Sequence, residues 1–110
     1  MAYQFILIVA NESTPGREGE YNRWYTEEHV PMMFEFKGMQ KASRYHLMGD
    51  NKQCSRYLAV YEFDSKEEMA EFPKSAEFAA AVKDFDIKWK DGGFVHKWGA
   101  SYELIQSWGK

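Results

Sequence analysis

A chain of 110 residues reads as one domain spanning 1–110, and a chain that short buries only about two-thirds of its unfolded surface, so a second copy would help it. Its 14 basic and 17 acidic residues leave a net charge of −3, which argues against a nucleic-acid partner. The single cysteine, Cys54, forbids an internal disulfide, and "MAYQFILIVANES" has neither the basic segment of a signal nor the length to span a bilayer, so the expected location is cytoplasmic, with no membrane partner.

Residues 3–10, "YQFILIVA", are apolar and rich in β-branched side chains, the pattern of a buried strand, and "NESTPG" follows as a loop. Thr14 can cap a helix with Pro15 in its first position. That helix is expected to stop at about Val30, because the residue before Pro31 is pushed out of the α region. "MMFEFKG" then makes a short turn ending in Gly38. Residues 39–48 and 54–63 are two strands of a hairpin around "GDNK". Ser65 opens a second helix with Glu68 completing a capping box; Pro73 interrupts it, and the helix resumes from about Ser75 to near Trp89. After "DGG", residues 94–108 form a last strand whose inner face is expected to carry Phe94, His96, Trp98, Ala100, Tyr102 and Leu104.

The order β-α-β-β-α-β is the ferredoxin-like α+β pattern, an antiparallel sheet with both helices on one face. The third strand is apolar on both sides, with Leu58 and Val60 on one and Tyr57, Ala59 and Tyr61 on the other. A sheet apolar on both faces needs a second cover, and a face-to-face homodimer is the simplest one.

At about 100° per residue, a straight first helix gathers Tyr21, Trp24, Tyr25, Glu28 and Met32 on one face. Glu28 therefore sits inside an aromatic stripe, with His29 at its edge. His29 in a last helical turn, beside Glu28, would favour the imidazolium and suit acid–base chemistry near neutral pH. Pattern alone leaves two readings open: His29 as a proton shuttle, or as a C-terminal cap on free carbonyls.

The stretch "YNRWYTEEHVPMMFEFKGMQKASRYHL" resembles the signature region of the EthD-like members of the dimeric α/β-barrel superfamily, whose pattern is W-Y/W-x-x-x-H-x-P, a turn with Gly, then a strand ending in an aromatic. Trp24, Tyr25, His29, Pro31, Gly38 and Tyr45 fall on it, and Lys37-Gly38 stands where Pro-Gly is frequent. The resemblance implies two subunits packing their sheets into a barrel, a cavity between each sheet and its helices, and catalysis by a histidine with tyrosines and no cofactor. Related enzymes include methylmuconolactone isomerases, polyketide cyclases and dehydratase- or decarboxylase-type tailoring enzymes.

The expected activity is a cofactor-independent isomerase, cyclase or lyase acting on a small cyclic, aromatic or polyketide-derived metabolite. His29 would shuttle the proton and Tyr25 would orient it or bind substrate. Trp24 and Trp98 would form walls, with Glu28, Arg44 and His96 contacting substrate and Arg44 or His96 meeting a carboxylate or enolate oxygen. Three histidines without metal-ligand spacing predict no metal site, His46 reads as a surface residue, and Cys54 has no base beside it. "RYLAVYEF" lacks the glycine and stacking aromatics of an RNA-recognition strand. Two other classes share the pattern: a cofactor-free monooxygenase of the antibiotic-biosynthesis type, and a non-catalytic small-molecule-binding or stress-response protein.

Overall fold

A computed structural model describes residues 4–110; Tyr3, expected to open the first strand, lies outside the described residues. The elements run β1 (Phe5–Ser13), α1 (Glu18–Trp24), a π turn (Tyr25–His29), α2 (Val30–Phe34), β2 (Met39–His46), β3 (Tyr57–Phe63), α3 (Lys66–Glu71), a 3-10 turn (Phe72–Lys74), α4 (Ala76–Lys88) and β4 (Phe94–Glu103). The four strands form one antiparallel sheet in the order β2-β3-β1-β4, the expected α+β ferredoxin-like architecture.

Strand β3 alternates as the sequence implies. Tyr57, Ala59, Tyr61 and Phe63 are buried beneath the helices, while Leu58, Val60 and Glu62 on the other face are half-buried. Serine caps start both later helices: Ser65 Oγ accepts from Glu68 N–H and Ser75 Oγ from Phe78 N–H, each at 3.1 Å. Pro73 sits in the 3-10 turn between them, as its missing N–H dictates.

Several boundaries differ from expectation. The "NES" of the first loop stays in β1, because Asn11, Glu12 and Ser13 pair with His96, Val95 and Phe94 of β4. The first helix opens at Glu18 rather than Thr14, since Gly16 at φ 88° cannot belong to a right-handed helix. The hairpin strands end at His46 and restart at Tyr57, closed by Leu47 N–H on the Arg56 carbonyl at 2.8 Å. The last strand stops at Glu103, opposite Phe5 at the start of β1, and one further bond, from Leu104 N–H to the Gln4 carbonyl at 2.6 Å, closes that end.

Two irregularities matter more. In the π turn, Val30 N–H reaches back five residues to the Tyr25 carbonyl, so the helix takes in one extra residue per turn there. The loosened turn precedes Pro31, relieving the ring's clash with the preceding carbonyls, and the helix runs on to Phe34 instead of stopping at Val30. In β4, Ala10 faces Trp98 but Asn11 faces His96, which leaves Lys97 as a bulged extra residue. Phe94 and His96 therefore face the helices, while Trp98, Ala100 and Tyr102 turn to the open side. The expectation of one shared inner face along β4 fails at this single residue.

Candidate functional site

The π turn decides what the first helix buries. With one residue inserted, every position after Tyr25 rotates back by one, and His29 takes the inward place that a straight helix gives to Glu28. Met33 likewise is buried where Met32 was expected. Glu28 points outward and is about half exposed, with its Oε1 2.6 Å from Lys88 Nζ. Its partner is Lys88 and not Arg44, and it borders a surface cleft beside Trp24 instead of being buried in the stripe. His29 is not a cap either, because the helix continues past it to a C-cap at Glu35.

The His29 imidazole stacks on Trp24 at 4.6 Å and 26°, and meets the Tyr25 ring edge-on at 4.8 Å. Its Nδ1 is buried without a hydrogen-bond partner among the described residues, although the residue as a whole reaches the surface in part. Burial pushes the imidazole down to about 4; Asp84 opposes the shift and Arg44 adds to it. The expectation of an imidazolium favoured by Glu28 and the helix dipole is overturned, since Glu28 faces Lys88 and no helix ends at His29. At neutral pH the ring is an uncharged acceptor and donor. Trp24 is pinned in turn by Asp84 of α4, whose Oδ2 accepts from the indole Nε1 at 2.8 Å.

Tyr25 is buried, and its hydroxyl lies 3.2 Å from that of Tyr61 on β3. Burial raises both tyrosines above their ordinary range, so both are protonated at neutral pH. The bond between the two hydroxyls uses one of their two protons, which leaves the other available to donate. Arg44, projecting from β2, places its guanidinium 4.6 Å from the centre of the Tyr25 ring.

Of the seven residues expected at the site, His29, Tyr25, Trp24 and Arg44 come together. His96 lies beyond them on the same face of the sheet, its Nδ1 3.1 Å from Asn11 Oδ1, while Asn11 donates to the Tyr21 hydroxyl at 3.2 Å. Glu28 and Trp98 are excluded, the first by the π turn and the second by the bulge. His46 is exposed, as expected, yet it stacks on Tyr57 at 5.4 Å. From the sequence Tyr57 and Tyr61 share a strand face open to core, interface or pocket roles, while Asn22 and Asp84 are not singled out. Asn22 stands three residues before Tyr25, a spacing that could have marked it, whereas Asp84 reaches Trp24 across 60 positions and leaves no local trace. Among the described residues, no group of three His, Cys, Asp or Glu side chains could hold a metal, and no helix is long and apolar enough to cross a membrane.

The ferredoxin-like fold is shared with solved proteins of the EthD and antibiotic-biosynthesis-monooxygenase types. Similar solved structures include an ethyl tert-butyl ether D (EthD) family protein from Bacillus halodurans, 13% identical with a TM-score of 0.67 over 92% of this chain and 99% of that one. The heme degrader MhuD from Mycobacterium tuberculosis, solved with two hemes in its active site, is 14% identical with a TM-score of 0.69 over 96% and 99%. SnoaB, a cofactor-independent oxygenase from Streptomyces nogalater, is 8% identical with a TM-score of 0.68 over 97% and 99%. At these identities the likeness is one of fold. No curated protein sequence matches the chain. The chain belongs to the family described as Domain of unknown function (DUF4286), whose family model matches residues 4–92.

Proposed function

We propose that the protein is a cofactor-independent enzyme that moves a proton on a small cyclic, aromatic or polyketide-derived compound, with isomerisation, cyclisation or elimination as the outcome. The observation that carries this reading is the His29 Nδ1, a buried polar atom with no partner among the described residues. Leaving such a group unsatisfied costs about 1–3 kcal/mol, a cost that a bound substrate would remove. In this reading neutral His29 accepts a proton from an activated C–H. The spare hydroxyl proton of the Tyr25–Tyr61 pair hydrogen-bonds the developing oxyanion, and the proton returns to a different carbon or to a departing hydroxyl.

His29 is depressed to about 4 and is by itself a weak base. A bound anion offsetting Arg44 would strengthen it. Incubation in D2O with a panel of enolisable cyclic ketones and lactones, read by mass spectrometry, tests the reading without knowledge of the final product. The wild type should incorporate deuterium, and His29→Asn should slow incorporation by roughly two to four orders of magnitude. Equal incorporation by both proteins would remove His29 from the chemistry.

A second reading is favoured by the likeness to SnoaB: the same deprotonation, with dioxygen as co-substrate, gives a cofactor-free oxygenase. Oxygen uptake that tracks substrate loss separates it from an isomerase. Ligand binding with neither exchange nor oxygen uptake would leave a non-catalytic small-molecule-binding protein.

We also propose a homodimer closed through the open sheet face, supported by the exposure of Tyr45, Trp98 and Tyr102 there, at 57%, 44% and 48%. Contiguous exposed apolar surface of that kind marks an interface more often than a free surface. Light scattering at micromolar concentration should return twice the chain mass.

A further inference from the structure

Open clefts flank the proposed catalytic cluster at its Trp24 end and at its Arg44 end, and the second is the larger. A cleft of about 330 Å³ between α1 and the outer end of β2 is lined by Asn22, Arg44, Tyr45, His46 and Tyr57. Arg44 is half-buried there, and no carboxylate among the described residues pairs with it. Its hydrogen-bond partners are neutral: Thr26 Oγ1 at 2.8 Å, Asn22 Oδ1 at 2.9 Å and the Asn22 carbonyl at 3.4 Å. Those bonds leave donors of the guanidinium fork unspent. The cation is held instead by aromatic faces, 4.6 Å from Tyr25, 5.5 Å from Tyr21 and 5.7 Å from Tyr57.

The remaining groups fit the same ligand. The Tyr57 hydroxyl accepts from Asn22 Nδ2 at 3.2 Å, which leaves its own proton to donate. His46 lies nearly parallel to the Tyr57 ring, at 29°, so the wall of the cleft is a flat stacked face. One fixed cation, a phenolic donor and an aromatic wall match a flat monoanion better than a phosphate, whose second charge would have no fixed partner.

We propose that this cleft is the anion subsite for a planar aromatic acid, with Arg44 binding its carboxylate or enolate oxygen and the Tyr57–His46 stack holding its ring. As the holding point of a substrate, the subsite rests on the reading of His29 as proton acceptor; as a binding site it does not. The bland alternative is that Arg44 is only a strut tying β2 to α1 through Asn22 and Thr26.

The test uses benzoate, with benzamide and cyclohexanecarboxylate as controls, titrated into isotope-labelled full-length protein and followed by NMR. Benzoate should shift the resonances of residues 44–46, Asn22 and Tyr57 saturably. Benzamide, which keeps the ring and loses the charge, should bind about tenfold more weakly or worse, and cyclohexanecarboxylate should also bind more weakly for want of a flat face. Arg44→Gln should lose benzoate by a similar factor, and Arg44→Lys should fall between because it keeps the charge without the fork. Should Arg44→Gln fail to fold, the benzoate-to-benzamide ratio on the wild type still decides.

No saturable shift at these residues, equal affinity for benzoate and benzamide, or undiminished binding by a folded Arg44→Gln would each leave Arg44 a strut. His29→Asn separates the two readings. It should keep benzoate binding while losing deuterium incorporation, so failure of the subsite and failure of the His29 chemistry give different results.

Discussion

The two faces of the sheet are built from the same strands and meet opposite fates. Toward the helices, Tyr57, Ala59, Tyr61 and Phe63 of β3 are almost fully buried among Tyr21, Tyr25, Met39 and Phe72. Toward the open side, Leu58 and Val60 are only half-buried, and their neighbours Tyr45, Trp98 and Tyr102 are exposed. One residue of strand separates the two environments. The helix face is completed by the chain itself, whereas the open face has apolar side chains without the layer that would cover them. Burial inside the chain should therefore set stability directly, while burial on the open side should act through association.

The sharpest way to break that comparison is to truncate one side chain on each face. Phe63 is fully buried, so Phe63→Ala should cost about 3–5 kcal/mol, the usual loss for a buried phenylalanine, in urea denaturation. Tyr102→Ala, in a dilute monomeric sample, should cost less than about 1 kcal/mol, as surface changes do. If the open face is an interface, the Tyr102→Ala loss should grow with protein concentration while the Phe63→Ala loss does not shift relative to it. A concentration-independent loss at Tyr102 equal to that at Phe63 would mean that the open face is closed within one chain.

His29 gives the next largest effect, through pH. Its ordinary value of 6.5 is pushed down to about 4 by burial, with Asp84 opposing and Arg44 assisting. The unfolded chain therefore takes up a proton that the folded chain refuses. Stability from this group is complete above pH 6.5 and is lost as pH falls toward 4. The full loss is on the order of 3 kcal/mol, at about 1.4 kcal/mol for each pH unit. His29→Phe keeps a flat ring for the Trp24 stack and cannot titrate, so relative to wild type it should gain stability steadily between about pH 7 and pH 4.5. A wild-type-to-variant difference that is the same at both ends would place His29 in water.

On the open side, a charge-introducing pair, Trp98→Glu with Tyr102→Glu, should leave the fold intact and return the mass of one chain by light scattering. Retention of twice the chain mass would move the interface elsewhere. The helix face offers no counterpart to this experiment, because a glutamate at Ala59 or Tyr61 would unfold the chain before its assembly could be measured.

What was legible in the sequence followed from repetition. The alternation of β3, the serine caps of α3 and α4 and the element order all depend on local periods, and the structure keeps them. Both departures at the site arise where one residue breaks a period. The π turn adds a residue to the helix and exchanges Glu28 for His29; the Lys97 bulge adds one to β4 and sends Trp98 away from His96. Pro31 is a local signal near the first irregularity; the rule for the residue before a proline ends the helix there, whereas here the proline follows a loosened turn and the helix continues. Nothing near Lys97 announces the second. Contacts such as Trp24 to Asp84 and Arg44 to Asn22 depend on which elements the fold brings together, so they become visible only after the register is known.

The smallest effect tests the register of the π turn itself. A straight helix would bury Glu28 among Trp24 and Tyr25, and replacing a buried carboxylate would move stability substantially in either direction, up if it were unpaired and down if it held Arg44. In the observed register, Glu28 and Lys88 are each about half exposed at 2.6 Å, and Lys88 keeps Asp84 at 3.7 Å as a second acid. An exposed pair of this kind is screened by water and salt, and losing one partner leaves the lysine both solvated and still paired. Glu28→Gln should therefore melt within the scatter of replicate wild-type melts, and what small difference exists should vanish in high salt. Adding Arg44→Gln to it should give the sum of the two single changes, because the two side chains do not meet. A large shift for Glu28→Gln, or a strong non-additive term with Arg44, would return Glu28 to the aromatic stripe and His29 to its edge. The buried, unpartnered imidazole on which the catalytic reading rests would then be gone.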